Sequence, residues 1–190
     1  MKIGILALQG GYEAHGRMLQ QLSVTPSYVR TVAELDHIDA LILPGGESSV
    51  ALKLLQGNDL FEAIRARAQA GMPCFGTCAG AILLAKTVLS PSQTSLGLMD
   101  TTVERNSYGR QLDSRIVHGH CTLKSEPLEM FFIRAPRFVH VAPNVTVIAD
   151  YEGEPVCVAQ GRYLAASFHP ELTHDTTLHR YFLESIQNSC

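Results

Sequence analysis

Residues 73–86, PCFGTCAGAILLAK, decide how this chain is read, because they hold a strand, a tight turn and a helix start in one short run. Pro73 opens the apolar strand and AILLAK reads as an apolar helix. Between them, Gly76, Cys78 and Gly80 fit a glycine-x-nucleophile-x-glycine elbow, in which small flanking residues let strand and helix approach one another. Such a turn strains its central residue, exposes the side chain above the sheet, and aims the next backbone N–H, that of Ala79, at any oxyanion formed by attack. A thiol at a helix N-terminus also favours its thiolate form. The competing reading is an ordinary buried cysteine beside a turn.

Working outward, KIGILAL (2–8) is an unalternated apolar run that ends in Gly10 and Gly11, and a helical pattern follows to about Leu22. DALILPGGESS (39–49) repeats the theme, a strand running straight into proline and two glycines. SYVR (27–30) adds a short strand, and helical patterns cover about 49–55 and 60–70. Alternating helices and unalternated apolar strands predict an α/β fold whose parallel sheet is covered on both faces. Beyond residue 97 the pattern changes to short strands separated by turns, then closes with a helix over about 175–186. The 190 residues, 46% of them hydrophobic, suit a single domain spanning 1–190.

A net charge of −3 gives no electrostatic footprint for nucleic acid, and no basic run suggests a membrane surface. No apolar stretch approaches the roughly 18–20 residues that span a bilayer, and the N-terminal run lacks a cleavage site. The expectation is a cytoplasmic protein. Five cysteines, at 74, 78, 121, 157 and 190, form no C-x-x-C pair and indicate neither a zinc ribbon nor a disulfide framework.

Cys78 needs a base, and eight histidines are available. His118 and His120 alternate on a strand beside Cys121, a pattern that suggests a metal site but lacks a nearby carboxylate or fourth ligand. His15 lies on the first helix and His140 on a strand, while His174 and His179 read as surface residues of the last helix. His169 differs. YLAASFHPELT (163–173) is an apolar strand ending in His169, with Pro170 biasing it toward extended backbone. In extended chain, residues i and i+2 point the same way, so Glu171 can lie beside the imidazole and orient it. The elbow and the histidine both fall at strand C-termini, where open α/β sheets place their sites.

GTCAG with FHPEL resembles the Cys-His-Glu triad of class I (triad) glutamine amidotransferases. ALQG (7–10), PGGES (44–48), ERNSYGRQ (104–111) and FIRAP (132–136) are similar, more narrowly, to the glutaminase subunits of pyridoxal 5'-phosphate synthases. The resemblance covers nearly the whole chain. It implies a three-layer, flavodoxin-like fold with a mixed, mostly parallel sheet. It also implies hydrolysis of L-glutamine, with Cys78 as nucleophile, His169 as acid and base, and Glu171 as its orienter. Gly46 and Ala79 would form the oxyanion hole, Glu47 and Ser48 would contact glutamine, and Arg105 would pair with its α-carboxylate. Ile133 and Arg134 match positions that line the same pocket, and Gln9 and Gly10 match a loop that changes when a partner docks. No metal or organic cofactor is required. The implied partner is a (β/α)8-barrel synthase subunit that receives the ammonia, in a complex of twelve plus twelve subunits. The departures are Tyr108, where phenylalanine is common, and VHGHCTLKSEP (117–127). Two alternatives share the scaffold: a γ-glutamyl hydrolase, and a catalytically idle regulatory or binding subunit.

Overall fold

The computed structural model describes residues 1–105 and 114–187. Chain order begins with β1 (Ile3–Leu6), α1 (Tyr12–Gln21), β2 (Pro26–Val29), α2 (Val32–Leu35), β3 (Ala40–Leu43), α3 (Ser48–Gly57), α4 (Leu60–Gln69), β4 (Cys74–Thr77) and α5 (Ala79–Leu84). It continues through β5 (Ala85–Leu89), β6 (Met99–Glu104), β7 (Arg115–Cys121), β8 (Leu128–Phe132), β9 (Arg137–Val141), β10 (Thr146–Tyr151), β11 (Glu154–Gln160) and β12 (Tyr163–Ala166), and ends with α6 (Thr177–Gln187).

Nine strands form one mixed sheet in the order β2-β1-β3-β4-β12-β11-β10-β7-β8. The half from β2 to β12 is parallel, and the strands beyond it pair antiparallel. β5, β6 and β9 make a small second sheet.

Strand side chains alternate between faces, so each apolar strand of the parallel half serves two cores. Leu41, Leu43 and Cys74 join Leu55 of α3, Ile64 of α4 and Leu83 of α5 on one face. Ile3, Ile5, Ile42 and Phe75 join Leu19 of α1 and Phe182 of α6 on the other. The result is the three-layer arrangement that the sequence predicts.

The elbow glycines are explained by contact. A Cβ on Gly76 would fall 2.5 Å from the Gly80 backbone, and one on Gly80 would fall 2.0 Å from the Leu43 carbonyl oxygen. Helix α5 therefore packs directly on β3 and β4, with no room for a side chain at either position.

Two local readings are corrected. The apolar helix stops at Leu84, and Ala85–Leu89 is strand β5, whose register against β6 overrides the helical appearance of AILLAK. The short helix α2 was not anticipated, although Thr31 and Glu34 form a reciprocal capping box at its start.

Candidate active site

Four parallel strands deliver the candidate residues to one edge of the sheet. Gln9 and Gly10 follow β1, Gly45 to Glu47 follow β3, Cys78 follows β4, and His169 follows β12. The backbone joins them: Cys78 N–H donates to Ala166 O at 2.8 Å, and His169 N–H donates to Phe131 O at 2.8 Å. The second bond brings the end of β8 alongside, which is how Ile133 and Arg134 reach the cleft. The cleft holds about 300 Å3 and is lined by Gly10, Gly46, Glu47, Ser48, Cys78, Arg105, Ile133, Arg134, His169 and Glu171, among others.

Cys78 has φ 49° and ψ −103°, a backbone conformation that strains a residue with a side chain and that the close packing of α5 imposes. Helix α5 has only six residues, so its dipole is a small contribution to the thiol's surroundings. His169 Nδ1 meets Glu171 Oε1 at 2.8 Å, which leaves Nε2 available to Cys78 in the same cleft. The pairing arises differently from the expectation. Glu171 lies in a 3-10 turn, Pro170–Leu172, rather than in extended chain, and that turn folds the carboxylate back under the imidazole.

Burial opposes a charged His169, but Cys78 on one side and Glu171 on the other overcome it and raise its pKa from 6.5 to about 10. Burial likewise opposes an ionised Glu171, while His15 and His169 together hold it down to about 2. Both shifts favour a carboxylate–imidazolium pair beside Cys78.

Gly45 is essential to this contact. A Cβ there would stand 2.3 Å from His169 Cε1 and 3.2 Å from Cys78 Cβ, so the Gly45 backbone lies against both side chains. Gly10, with φ 80°, approaches the Gly45 carbonyl so closely that a Cβ would overlap its oxygen at 1.8 Å. Gln9 Oε1 accepts the Glu47 N–H at 3.2 Å, tying the β1 loop to the β3 loop.

Glu47 caps α3 by accepting from the N–H groups of Ser49 and Val50. Arg105 Nη2 lies 3.4 Å from Glu47 Oε1 and donates to Ser49 Oγ at 2.8 Å, so the guanidinium is already oriented at the cleft wall. Ser48 is buried and donates to Gln93 Oε1 at 3.2 Å. The remainder of the Arg105 motif, including Tyr108, lies outside the described residues.

A family model for the SNO glutamine amidotransferase family matches residues 5–188. The chain belongs to that family. It is 50% identical over 188 residues to the "Pyridoxal 5'-phosphate synthase subunit PdxT" of Koribacter versatilis, covering 99% of this chain and 97% of that one. It is 46% identical to the protein of the same name from Thermotoga maritima, covering 98% and 100%. A solved structure described as a glutamine amidotransferase superposes with a TM-score of 0.92 at 42% identity, covering 98% of this chain and 100% of that one. A structure of PurLQS from Thermotoga maritima, at 18% identity and a TM-score of 0.72, shares the fold.

Sequence reasoning missed several residues of this candidate site. Thr77 and Gln93 carry no role in the sequence reading, yet Thr77 Oγ1 accepts the Gly45 N–H at 3.1 Å and Gln93 braces Ser48. The position of Thr77, directly before Cys78, was the available signal. His179 is not a surface residue; it is fully buried against Phe75 and His15. His120 does have a carboxylate partner, because pairing of β7 with β10 brings Asp150 Oδ2 to 2.8 Å from its Nδ1.

Proposed function

We propose that this chain, acting as one glutaminase domain over 1–190, hydrolyses L-glutamine to L-glutamate and ammonia through a Cys78–His169–Glu171 triad. The observation that carries the reading is a strained Cys78 sharing a cleft with an imidazole that hydrogen-bonds a buried carboxylate at 2.8 Å. The cleft also carries both charges that an amino acid needs: Arg105 and Arg134 for the α-carboxylate, and Glu47 for the α-ammonium.

With its thiol proton held by His169, Cys78 Sγ attacks as the thiolate at the side-chain amide carbon, and the developing oxyanion is received by the N–H groups of Gly46 and Ala79. His169 donates its proton to the departing nitrogen, so the C–N bond breaks, ammonia leaves and a γ-glutamyl thioester remains. Neutral His169 then takes a proton from water, whose oxygen attacks the thioester. The sulfur departs and glutamate is released. Glu171 supports the imidazolium at each stage. Ser48 and Ile133 position the substrate.

Ammonia released into water at neutral pH takes up a proton and ceases to be a nucleophile. A protected hand-over therefore requires a second protein. The relatives' printed name supplies its class: a subunit of pyridoxal 5'-phosphate synthase. We assign it a (β/α)8-barrel architecture and a twelve plus twelve assembly by family resemblance, with the Gln9–Gly10 loop responding to docking. Exposed Val50 and Leu54 on α3, and Leu172 at the cleft, offer an apolar rim for it. The setting is cytoplasmic. Among the described residues, no helix is long and apolar enough to cross a membrane.

The test is glutamate release from glutamine, with and without the co-expressed synthase subunit, alongside Cys78→Ala. Release that needs the synthase and disappears in Cys78→Ala is the expected result. Release that persists in Cys78→Ala removes the nucleophile assignment, and none in the docked wild type favours an idle subunit.

A further inference from the structure

Behind the triad lies a second polar chain that the mechanism above does not use. Glu171 spends Oε1 on His169, while its Oε2 is buried and makes no hydrogen bond among the described residues. His15 Nε2, on α1, faces that oxygen at 3.5 Å, and both side chains are fully buried. The same nitrogen lies 3.1 Å from Thr77 Oγ1. His15 Nδ1 in turn meets His179 Nε2, on α6, at 2.9 Å, and His179 Nδ1 has no partner among the described residues. His15 alone thus faces the second oxygen of Glu171, and Thr77 of β4 and His179 of α6 hold its ring in place.

The proton positions follow from that unpartnered nitrogen. A buried N–H without an acceptor is rarer and costlier than a bare lone pair, so His179 Nδ1 is the bare position and Nε2 carries the hydrogen. His179 Nε2–H then donates to His15 Nδ1. This fixes the hydrogen of neutral His15 on Nε2, aimed at Glu171 Oε2 and Thr77 Oγ1. Burial lowers the pKa of both histidines, which favours the neutral rings, while Glu171 opposite His15 favours a hydrogen on the nitrogen that faces it. Thr77 Oγ1 also accepts the Gly45 N–H at 3.1 Å, which links this network to the loop beside Cys78.

We propose that His15, locked in one tautomer by His179, is a positioning residue that fixes the Glu171 carboxylate behind His169. At 3.5 Å the His15–Glu171 contact is longer than an ordinary hydrogen bond, a length compatible with a positioning role because hydrogen bonds that serve catalysis tighten in the substrate complex. The titratable groups facing Glu171 are His169 from its own turn and His15 from α1. Those facing His15 are Glu171 and His179, with uncharged Thr77 contributed by β4.

The proposal rests on the glutaminase reading, and its test uses the full chain bound to the synthase subunit. Wild type is compared with His15→Leu, His15→Gln and His179→Phe for kcat, KM, the pH profile of kcat/KM, and melting temperature. His15→Leu is expected to lose about tenfold in kcat with KM within about twofold, and its acid limb should move to higher pH as Glu171 accepts a proton more readily. His15→Gln, whose side-chain amide N–H reaches the Nε2 position, should recover most of the rate. His179→Phe should share the pH shift. A folded His15→Leu with wild-type kcat and pH profile overturns the proposal. So does equal loss in His15→Gln and His15→Leu with an unmoved profile, and if His15→Leu does not fold, an unmoved profile in both other variants has the same meaning. The pH dependence of iodoacetamide alkylation at Cys78, read by peptide mass, separates this idea from the glutaminase reading. A shift to higher pH in His15→Leu supports positioning even where the wild type releases no glutamate, and an unshifted curve rejects it.

Discussion

Replacing Gly45 with alanine introduces one methyl group where the structure has the least room for it. The new Cβ would lie 2.3 Å from His169 Cε1 and 2.7 Å from Nδ1, against an ordinary carbon contact of about 3.5–4.0 Å. One side must therefore give by more than about 1 Å. The loop is tethered on both flanks, by Gly45 N–H to Thr77 Oγ1 at 3.1 Å and by Gly11 N–H to Gly45 O at 3.0 Å. His169 cannot take Glu171 with it, because that carboxylate is fully enclosed. The ring moves and the 2.8 Å Nδ1–Oε1 bond opens. A displacement of about 1 Å at a reacting group can cost about 100-fold in rate, while overpacking costs about 1–3 kcal/mol of stability. For a chain of this size that predicts a fall of roughly 2–12 °C in melting temperature, well short of unfolding at assay temperature. Glutamate release by the docked Gly45→Ala protein should drop about 100-fold in kcat, with KM changed far less. Gly57→Ala is the control, since a Cβ there meets nothing within 4 Å. A Gly45→Ala kcat within about threefold of wild type would refute the geometric argument.

Arg105→Lys should raise KM for glutamine by about tenfold and leave kcat within about threefold, because a lysine cannot reproduce the forked contact now oriented by Ser49 and Glu47. An unchanged KM, measured with the synthase bound, removes Arg105 from substrate recognition. Acid sensitivity should report on His179, whose pKa burial lowers from 6.5 to about 3. The unfolded chain takes up that proton first, so the stability it contributes is present above 6.5 and falls, as pH drops toward about 3, by at most ~1.4 kcal/mol per pH unit. Chemical denaturation across that range should show a shallower decline in His179→Phe, and equal slopes would mean that the ring is not held neutral.

The meeting of Cys78, His169 and Glu171 in one cleft was legible because its instructions are local. Glycines two residues either side of Cys78 encode the elbow, and a proline and a glutamate directly after His169 encode the turn that pairs them, so few residues needed to be read together. The parallel half of the sheet was legible for a similar reason, since apolar strands ending in glycine pairs mark its functional edge. Strand β5 was not, because Ala85 follows an unbroken apolar helix and only pairing with β6 decides its state. His179 was misread even though the closing helix carries a signal: Leu178, Phe182 and Ile186 share one apolar stripe, and His179 stands beside it with Leu183, four residues on.

What no local pattern could give is the meeting of His15 with Thr77 and His179, which are 62 and 164 residues away in the chain. Each reads alone as an ordinary helix or strand residue, and only the crossing of α1 and α6 over the same sheet face makes them partners. Energetics distinguishes this pair from filler. Two buried neutral imidazoles forfeit their hydration, and leucine at either site would occupy the space without that cost. The loss is offset only where the rings supply something that leucine cannot. Here they supply a hydrogen directed at the second oxygen of a buried carboxylate, whose first oxygen is committed to His169.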